Sequence, residues 1–216
     1  MLTTFRTKLD LSQTILHSRF RFDLAFDECS TNQEIYNKTI KPLIASMFEK
    51  QAKITCFAFG QTGSGKTYTM IGNNMDNPGL YLLSSYDIFS LLQMNCYADY
   101  DIWVSFFEIY CNRLYDLLNN KQPLEILEDA QGNMNVVGLC LRKVISVQNL
   151  LNIISFGLNS RTVGITGANP ESSRSHAVLK IELRDQRNNF KGNVSFVDLA
   201  GSERAVDAMN SDKKTK

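Results

Sequence analysis

Residues 60 to 67 read Gly60-Gln61-Thr62-Gly63-Ser64-Gly65-Lys66-Thr67. Glycines at this spacing let a backbone turn tightly and aim successive N–H groups inward, at the oxygens of a phosphate. Lys66 has the reach for β- and γ-phosphates, and the Thr67 hydroxyl can hold Mg²⁺. Two later stretches carry matching chemistry. Asn169-Pro170-Glu171-Ser172-Ser173-Arg174-Ser175-His176 gathers hydroxyls, an amide and a guanidinium on one loop, which can wrap a γ-phosphate and order a water. Val197-Asp198-Leu199-Ala200-Gly201-Ser202-Glu203 ends an apolar run with Asp198, where a phosphate-loop nucleotidase places its Mg²⁺-directed acid. Gly201 permits close approach of a backbone N–H to phosphate. Each stretch alone also fits a plainer role: a glycine-rich turn, a polar capping turn, a solvated turn after a strand. His176 is one of two histidines and has no clustered partners, so it reads as a hydrogen-bonded structural residue and not as a metal ligand.

The elements that must position these residues are legible around them. Residues 54 to 59, Ile-Thr-Cys-Phe-Ala-Phe, predict a buried strand entering the glycine loop, and a helix should leave it. Arg19 to Asp23 alternates and predicts a strand. Thr31-x-x-Glu34 is a capping box opening a helix to about Lys50, which Pro42 should bend or break. Asn73 to Gly79 is turn-rich. A helix is expected over Leu80 to Gln93 with Leu82, Tyr86 and Phe89 inward. The apolar run 102 to 110 suits a central strand covered on both faces. Leu124 to Val137 reads as a hairpin turning at residues 130 to 133, and Val147, Leu150, Leu151 and Ile154 have helical spacing. Arg161 to Pro170 reads as a loop. Strands are expected over Ala177 to Leu183 and Asn193 to Leu199, with a turn at Asn188-Asn189 between them. Strands alternating with helices predict an α/β fold with a central, mostly parallel sheet, to which the hairpin adds antiparallel pieces.

Composition sets the limits. The chain has 216 residues, 44% of them hydrophobic and 21% charged, enough for one domain with a sizeable core. A net charge of +1 gives no reason to expect nucleic acid or a membrane as partner. Five scattered cysteines form no C-x-x-C pair and fit reduced thiols better than disulfides or zinc. The first residues do not form a signal peptide, and no apolar run approaches membrane-spanning length.

In this order and at these distances, the three stretches closely resemble the kinesin motor head: the phosphate loop Gly60 to Met70, a first switch Asn169 to His176 and a second switch Asp198 to Glu203. The resemblance implies a truncated kinesin-type head, a mixed, mainly parallel eight-stranded sheet between helices, which drives microtubule work with ATP. It implies that Gly60, Gln61, Thr62, Gly63, Ser64, Gly65, Lys66 and Thr67 bind phosphates, and that Tyr68 packs against adenine. Asn169, Ser172 and Ser173 would approach the γ-phosphate, Mg²⁺ and the attacking water. Thr67, Ser173 and Asp198 would surround Mg²⁺, partly through water. Gly201 would sense the γ-phosphate, and Arg174 and Glu203 would form a latch over the nucleotide.

A narrower resemblance points to the kinesin-13 family, whose members depolymerise microtubules. Lys8-Leu9-Asp10 is similar to its Lys-Val-Asp tip, with Leu9 a mild departure. Phe106-Phe107-Glu108-Ile109-Tyr110, Leu114 to Asn119, Leu127-Glu128-Asp129 and Val136 to Leu139 are similar to the same family. Asn77 to Tyr81 and Ser211 to Lys216 point to its kinesin-24-like branch. The resemblance implies tubulin contacts at Lys8, Leu9, Asp10 and Lys143, and a place in the cytoplasm on the microtubule cytoskeleton, with centriole and spindle as the structures to search. Residues 1 to 216 are expected to be a partial motor domain, lacking the family's first strand and the helices after the second switch. Incompleteness keeps another reading open, a nucleotide- or microtubule-binding module without turnover. Other phosphate-loop nucleotidases fit less well. A GTPase should carry Asn-Lys-x-Asp, but Thr39-Ile40 follow Asn37-Lys38; a myosin should have Phe where Ser202 stands.

Overall fold

The computed structural model describes residues 2–7, 12–73, 76–132, 134–162 and 174–203. The chain forms two compact units, residues 1–30 and 31–216, although its sequence shows no linker between them. In the first unit, β1 (Leu2–Thr7) pairs antiparallel with β2 (Gln13–Ser18), Leu2 lying opposite Ser18 and Thr7 opposite Gln13. The strand expected over residues 19 to 23 does not form. Alternating Arg and Phe distinguish two faces, but a strand also needs a partner edge, and pairing with β1 ends at Ser18. Phe20 and Phe22 are left exposed, and so is Leu24.

The second unit opens at Thr31, whose hydroxyl accepts the Glu34 N–H at 3.2 Å and caps α1 (Asn32–Thr39). The reciprocal half of the capping box is replaced by an i,i+4 ion pair, with Glu34 accepting from Lys38 at 2.7 Å. As the proline predicts, the long helix breaks. α1 ends at Ile40 and α2 (Lys41–Glu49) begins with Pro42 in its first turn, where a missing N–H costs nothing. β3 (Lys53–Ala58) leads into the glycine loop, α3 (Lys66–Ile71) leaves it, and α4 (Leu80–Leu92) follows. Leu82 and Phe89 face inward as expected, but Tyr86 is exposed, and Tyr81 and Ile88 take the buried positions.

The remaining strands are β4 (Tyr100–Tyr110), β5 (Arg113–Asp116), β6 (Gln122–Glu128), β7 (Met134–Val137) and β8 (Arg142–Val144). After α5 (Val147–Thr162) come β9 (Ser175–Asp185) and β10 (Phe190–Asp198). Among the described residues one sheet of eight strands runs β3-β10-β9-β4-β5-β6-β7, with β8 pairing with β4. The α/β class and the mixed sheet stand as expected, but the balance of directions is corrected. Of the described pairings in this sheet only β3–β10 is parallel. The reason is local. Cys111 and Asn112 both take left-handed φ, 48° and 61°, between β4 and β5, and Asn188 takes 64° between β9 and β10. Such tight turns can join only antiparallel neighbours.

One hydrophobic core joins the described helices to one face of this sheet. It includes Tyr36, Ile44 and Met47 with Met70, Tyr81, Ile88, Leu150 and Ile154, packed on Ile102, Val104, Phe106, Leu179, Ile181, Val194 and Phe196. Burying a large apolar side chain of this kind contributes roughly 1.5–3 kcal/mol. On the other face of β4 Ser105 is buried, but Trp103, Phe107 and Ile109 are only half-buried, so the two-sided cover expected for this strand is incomplete among the described residues. On β3 the outward Phe57 is exposed, and so is Phe59 just beyond the strand.

Candidate nucleotide site

The parallel pair sets the site. β3 and β10 run side by side with Ala58 opposite Asp198, so the glycine loop and the acidic loop leave the sheet at the same edge. Ligands of open α/β sheets bind outside the carboxyl ends of strands, as this arrangement requires. The glycine loop then turns through left-handed φ at Gly63 (80°) and Gly65 (87°), and Gly65 directly precedes α3. A residue with Cβ would strain both turns, which is why the phosphate-loop pattern needs glycine there. The Ser64 N–H donates to the Gln61 carbonyl at 3.1 Å and the Thr69 N–H to Gly65 at 2.9 Å. Lys66 folds back over the loop, and its Nζ donates to the carbonyls of Gly60 and Gln61, each at 2.9 Å.

The Thr67 hydroxyl donates to Asp198 Oδ2 at 3.0 Å, joining the first helical turn after the loop to the end of β10. Asp198 is 1% exposed, and its Oδ1 is buried without a hydrogen-bond partner. A buried unsatisfied carboxylate oxygen is costly, so this atom calls for a ligand. Thr67 with Asp198 is a hard oxygen set of the kind that binds Mg²⁺ directly or through water, and the residues present therefore fit that ion.

The acidic loop closes back over the glycine loop. Ser202 N–H donates to the Gly60 carbonyl at 3.0 Å, and Thr62 N–H to Glu203 Oε2 at 3.0 Å, with the Thr62 hydroxyl on the other oxygen of the same carboxylate. A Cβ on Gly201 would run into the end of that carboxylate and into the Thr62 hydroxyl, so a side chain there would displace this contact. The Thr62 hydroxyl is the largest influence holding the Glu203 carboxyl below its ordinary pKa; backbone N–H groups and Lys66 add to it. The contact therefore persists above the ordinary carboxylate range and is lost only as pH falls through the lowered value. His176 accepts the Ala200 N–H on Nδ1 at 3.0 Å, a structural bond that joins the start of β9 to this loop.

Several expected site residues lie outside the described ones: Lys8, Leu9, Asp10, Asn169, Ser172 and Ser173. Arg174 stands exposed just before β9. Tyr68 is largely exposed on α3, and its carbonyl accepts from buried Asn32 at 3.1 Å. Lys143, on β8, pairs with Asp101 at 2.7 Å. Residues 161 and 162, read as loop from the sequence, belong to α5. Sequence reasoning missed Arg161 in particular. Its guanidinium is buried against Asp198, 2.9 Å from Oδ2. No motif spacing marks it; the one hint is a cation in the last turn of a helix.

The family model described as "Kinesin motor domain" matches residues 3–216. The human "Kinesin-like protein KIF24" (Homo sapiens) is 49% identical over 209 residues, and the mouse protein of the same name (Mus musculus) is 48% identical over 209 residues. Each alignment covers 96% of this chain and 15% of the relative, so the chain spans about 15% of the length of the curated relatives it matches.

Proposed function

The chain belongs to the kinesin motor-domain family, and from that premise we propose that it binds ATP with Mg²⁺, hydrolyses it and passes the work to microtubules. The observation that supports this best is the meeting of the glycine loop with the acidic loop through Thr67–Asp198, Ser202–Gly60 and Glu203–Thr62. Phosphoryl transfer needs little covalent help, so positioning and charge neutralisation carry the catalysis. Backbone N–H groups of residues 60 to 65 and the Lys66 ammonium would hold the phosphates. Tyr68 would cover the adenine. Thr67 and Asp198, with Ser173, would hold Mg²⁺, which when bound supplies Lewis-acid neutralisation of the charge on the phosphates.

Hydrolysis then depends on the two switch stretches. Asn169, Ser172 and Ser173 would order the attacking water, and Gly201 would report the γ-phosphate through its N–H. Glu203 would exchange Thr62 for the fork of Arg174 when ATP is held, closing the site by a bidentate pair. The narrower proposal, from Lys8-Leu9-Asp10, is that the head takes tubulin from microtubule ends in the manner of kinesin-13 proteins. The beta hairpin β6–β7 and Lys143 would supply further tubulin contact, since Leu127, Met134 and Val137 are exposed there. The proposed place of action is the cytoplasmic microtubule array.

The test is Glu203→Ala in the full-length protein. Removing the carboxylate should lower the turnover number at least about a hundredfold, the range in which one transition-state contact acts, while ATP affinity changes by less than about threefold. The neutral-pH charge on Glu203 is secure, so this result should hold across buffers from about pH 6 to pH 8. Hydrolysis by the variant at the parental rate would remove the latch from the mechanism.

A further inference from the structure

Tyr68 follows Lys66 and Thr67 on a short element. α3 has six residues and closes at Gly72, where φ is left-handed at 88°. A helix of this length does not hold itself in water, so its neighbours must fix it. On the phosphate side they do. Lys66 Nζ is held by the carbonyls of Gly60 and Gln61, and the Thr67 hydroxyl by Asp198. The Tyr68 ring is 48% exposed, so core packing does little to set its place and the ring follows its own peptide. That peptide carries a bond from outside the helix. The Tyr68 carbonyl accepts the Gly72 N–H at 2.8 Å and also the side-chain amide of Asn32 at 3.1 Å. Asn32 is the first residue of α1 and is only 6% exposed. Short polar side chains at a helix start usually bond their own backbone. Thr31 does so here, accepting the Glu34 N–H, and leaves Asn32 to reach a residue 36 positions along the chain.

We propose that Asn32 is a positioning residue for the base of the nucleotide: its buried amide holds the Tyr68 peptide and so fixes where the Tyr68 ring meets adenine. This rests on the nucleotide reading above. The phosphate end of the site does not depend on Asn32, because Lys66 and Thr67 are held by the glycine loop and Asp198. The place calls for an amide. An ionised aspartate has the same size but offers no donor to a carbonyl. Alanine would leave the Tyr68 carbonyl with its helical partner alone. The site is thereby divided: the start of α1 serves the base, and the glycine loop serves the phosphates.

The experiment compares ATP·Mg with Mg·tripolyphosphate, which carries phosphates without a base, by isothermal titration of the full-length protein. In Asn32→Ala the affinity for ATP·Mg should fall about fivefold, one neutral hydrogen bond's share, and the affinity for Mg·tripolyphosphate should stay within about 1.5-fold of the parent. Alanine is a good helix former and Thr31 keeps its cap, so α1 should persist. In a Tyr68→Ala background the same substitution should cost no further ATP affinity, because the two residues act as one unit. If Asn32→Ala fails to give a native melt, Asn32→Asp decides by the same comparison. Equal weakening of both ligands overturns the inference, since Asn32 would then only tie α1 to α3, and so does unchanged ATP affinity in a folded variant. A parent that binds tripolyphosphate as tightly as ATP removes Tyr68 from base recognition, and the inference with it, but leaves the phosphate loop standing. A parent that binds neither ligand overturns the nucleotide reading itself.

Discussion

Replacing Lys66 with alanine is expected to lower the affinity for ATP·Mg by at least about a hundredfold, near the loss of two charge-assisted hydrogen bonds at roughly 1.5–3 kcal/mol each. Lys66 is the first residue of α3, and its ammonium already lies over the glycine loop, 2.9 Å from the carbonyls of Gly60 and Gln61. A lysine head has three donors and a compact charge, so a phosphate entering the loop gains a cation without a large movement of the chain. Backbone N–H groups would remain in the variant, but they carry no net charge. Lys66 is half-exposed and is not one of the hydrophobic core residues, so the melting temperature should stay near that of the parent. The measurement is isothermal titration with ATP·Mg beside a thermal melt. Unchanged affinity in a folded Lys66→Ala protein would remove the glycine loop from nucleotide binding.

The second large effect concerns microtubules. With ATP, the full-length protein should shorten stabilised microtubules from both ends, and changing Lys8, Leu9 and Asp10 together to alanine should abolish shortening. These three residues lie outside the described ones. A cation, an apolar side chain and an anion in sequence can dock on tubulin by charge and by one buried contact. Such a contact drives bending only if it favours the curved form of the protofilament over the straight form, because a ligand shifts an equilibrium only by its differential affinity. ATP turnover would then support removal of subunits and not translation. Fluorescence microscopy separates the outcomes: shortening at both ends supports the proposal, and processive runs along an unshortened lattice refute it.

Chemistry governed by local backbone geometry was the most legible. Gly63 and Gly65 stand where left-handed φ requires them, and Asp198 ends the strand beside that loop. The capping role of Thr31 and the break at Pro42 were legible for the same reason, since both depend on neighbours within one helical turn. Partnerships over long chain separations were not. Arg161 and Asp198 are 37 residues apart, and Thr62 and Glu203 are 141 apart. Nothing in residue type says that a helix-ending arginine will be buried on a carboxylate. Strands alternating with helices predict a mostly parallel sheet, but the tight connections at Cys111-Asn112 and Asn188 favour antiparallel neighbours. Helical spacing points Tyr86 inward, but α4 buries residues on most of its circumference, Ser84 and Ser85 included, so spacing alone cannot choose between Tyr86 and Tyr81.

Steady-state phosphate release by the full-length protein tests both the proposed ATP turnover and its proposed response to microtubules. With Mg²⁺ and ATP, release should be measurable without microtubules, should rise at least severalfold when they are added, and should stop when Mg²⁺ is chelated. Tight ATP binding with no phosphate release under either condition, or release indifferent to microtubules, would contradict the proposal.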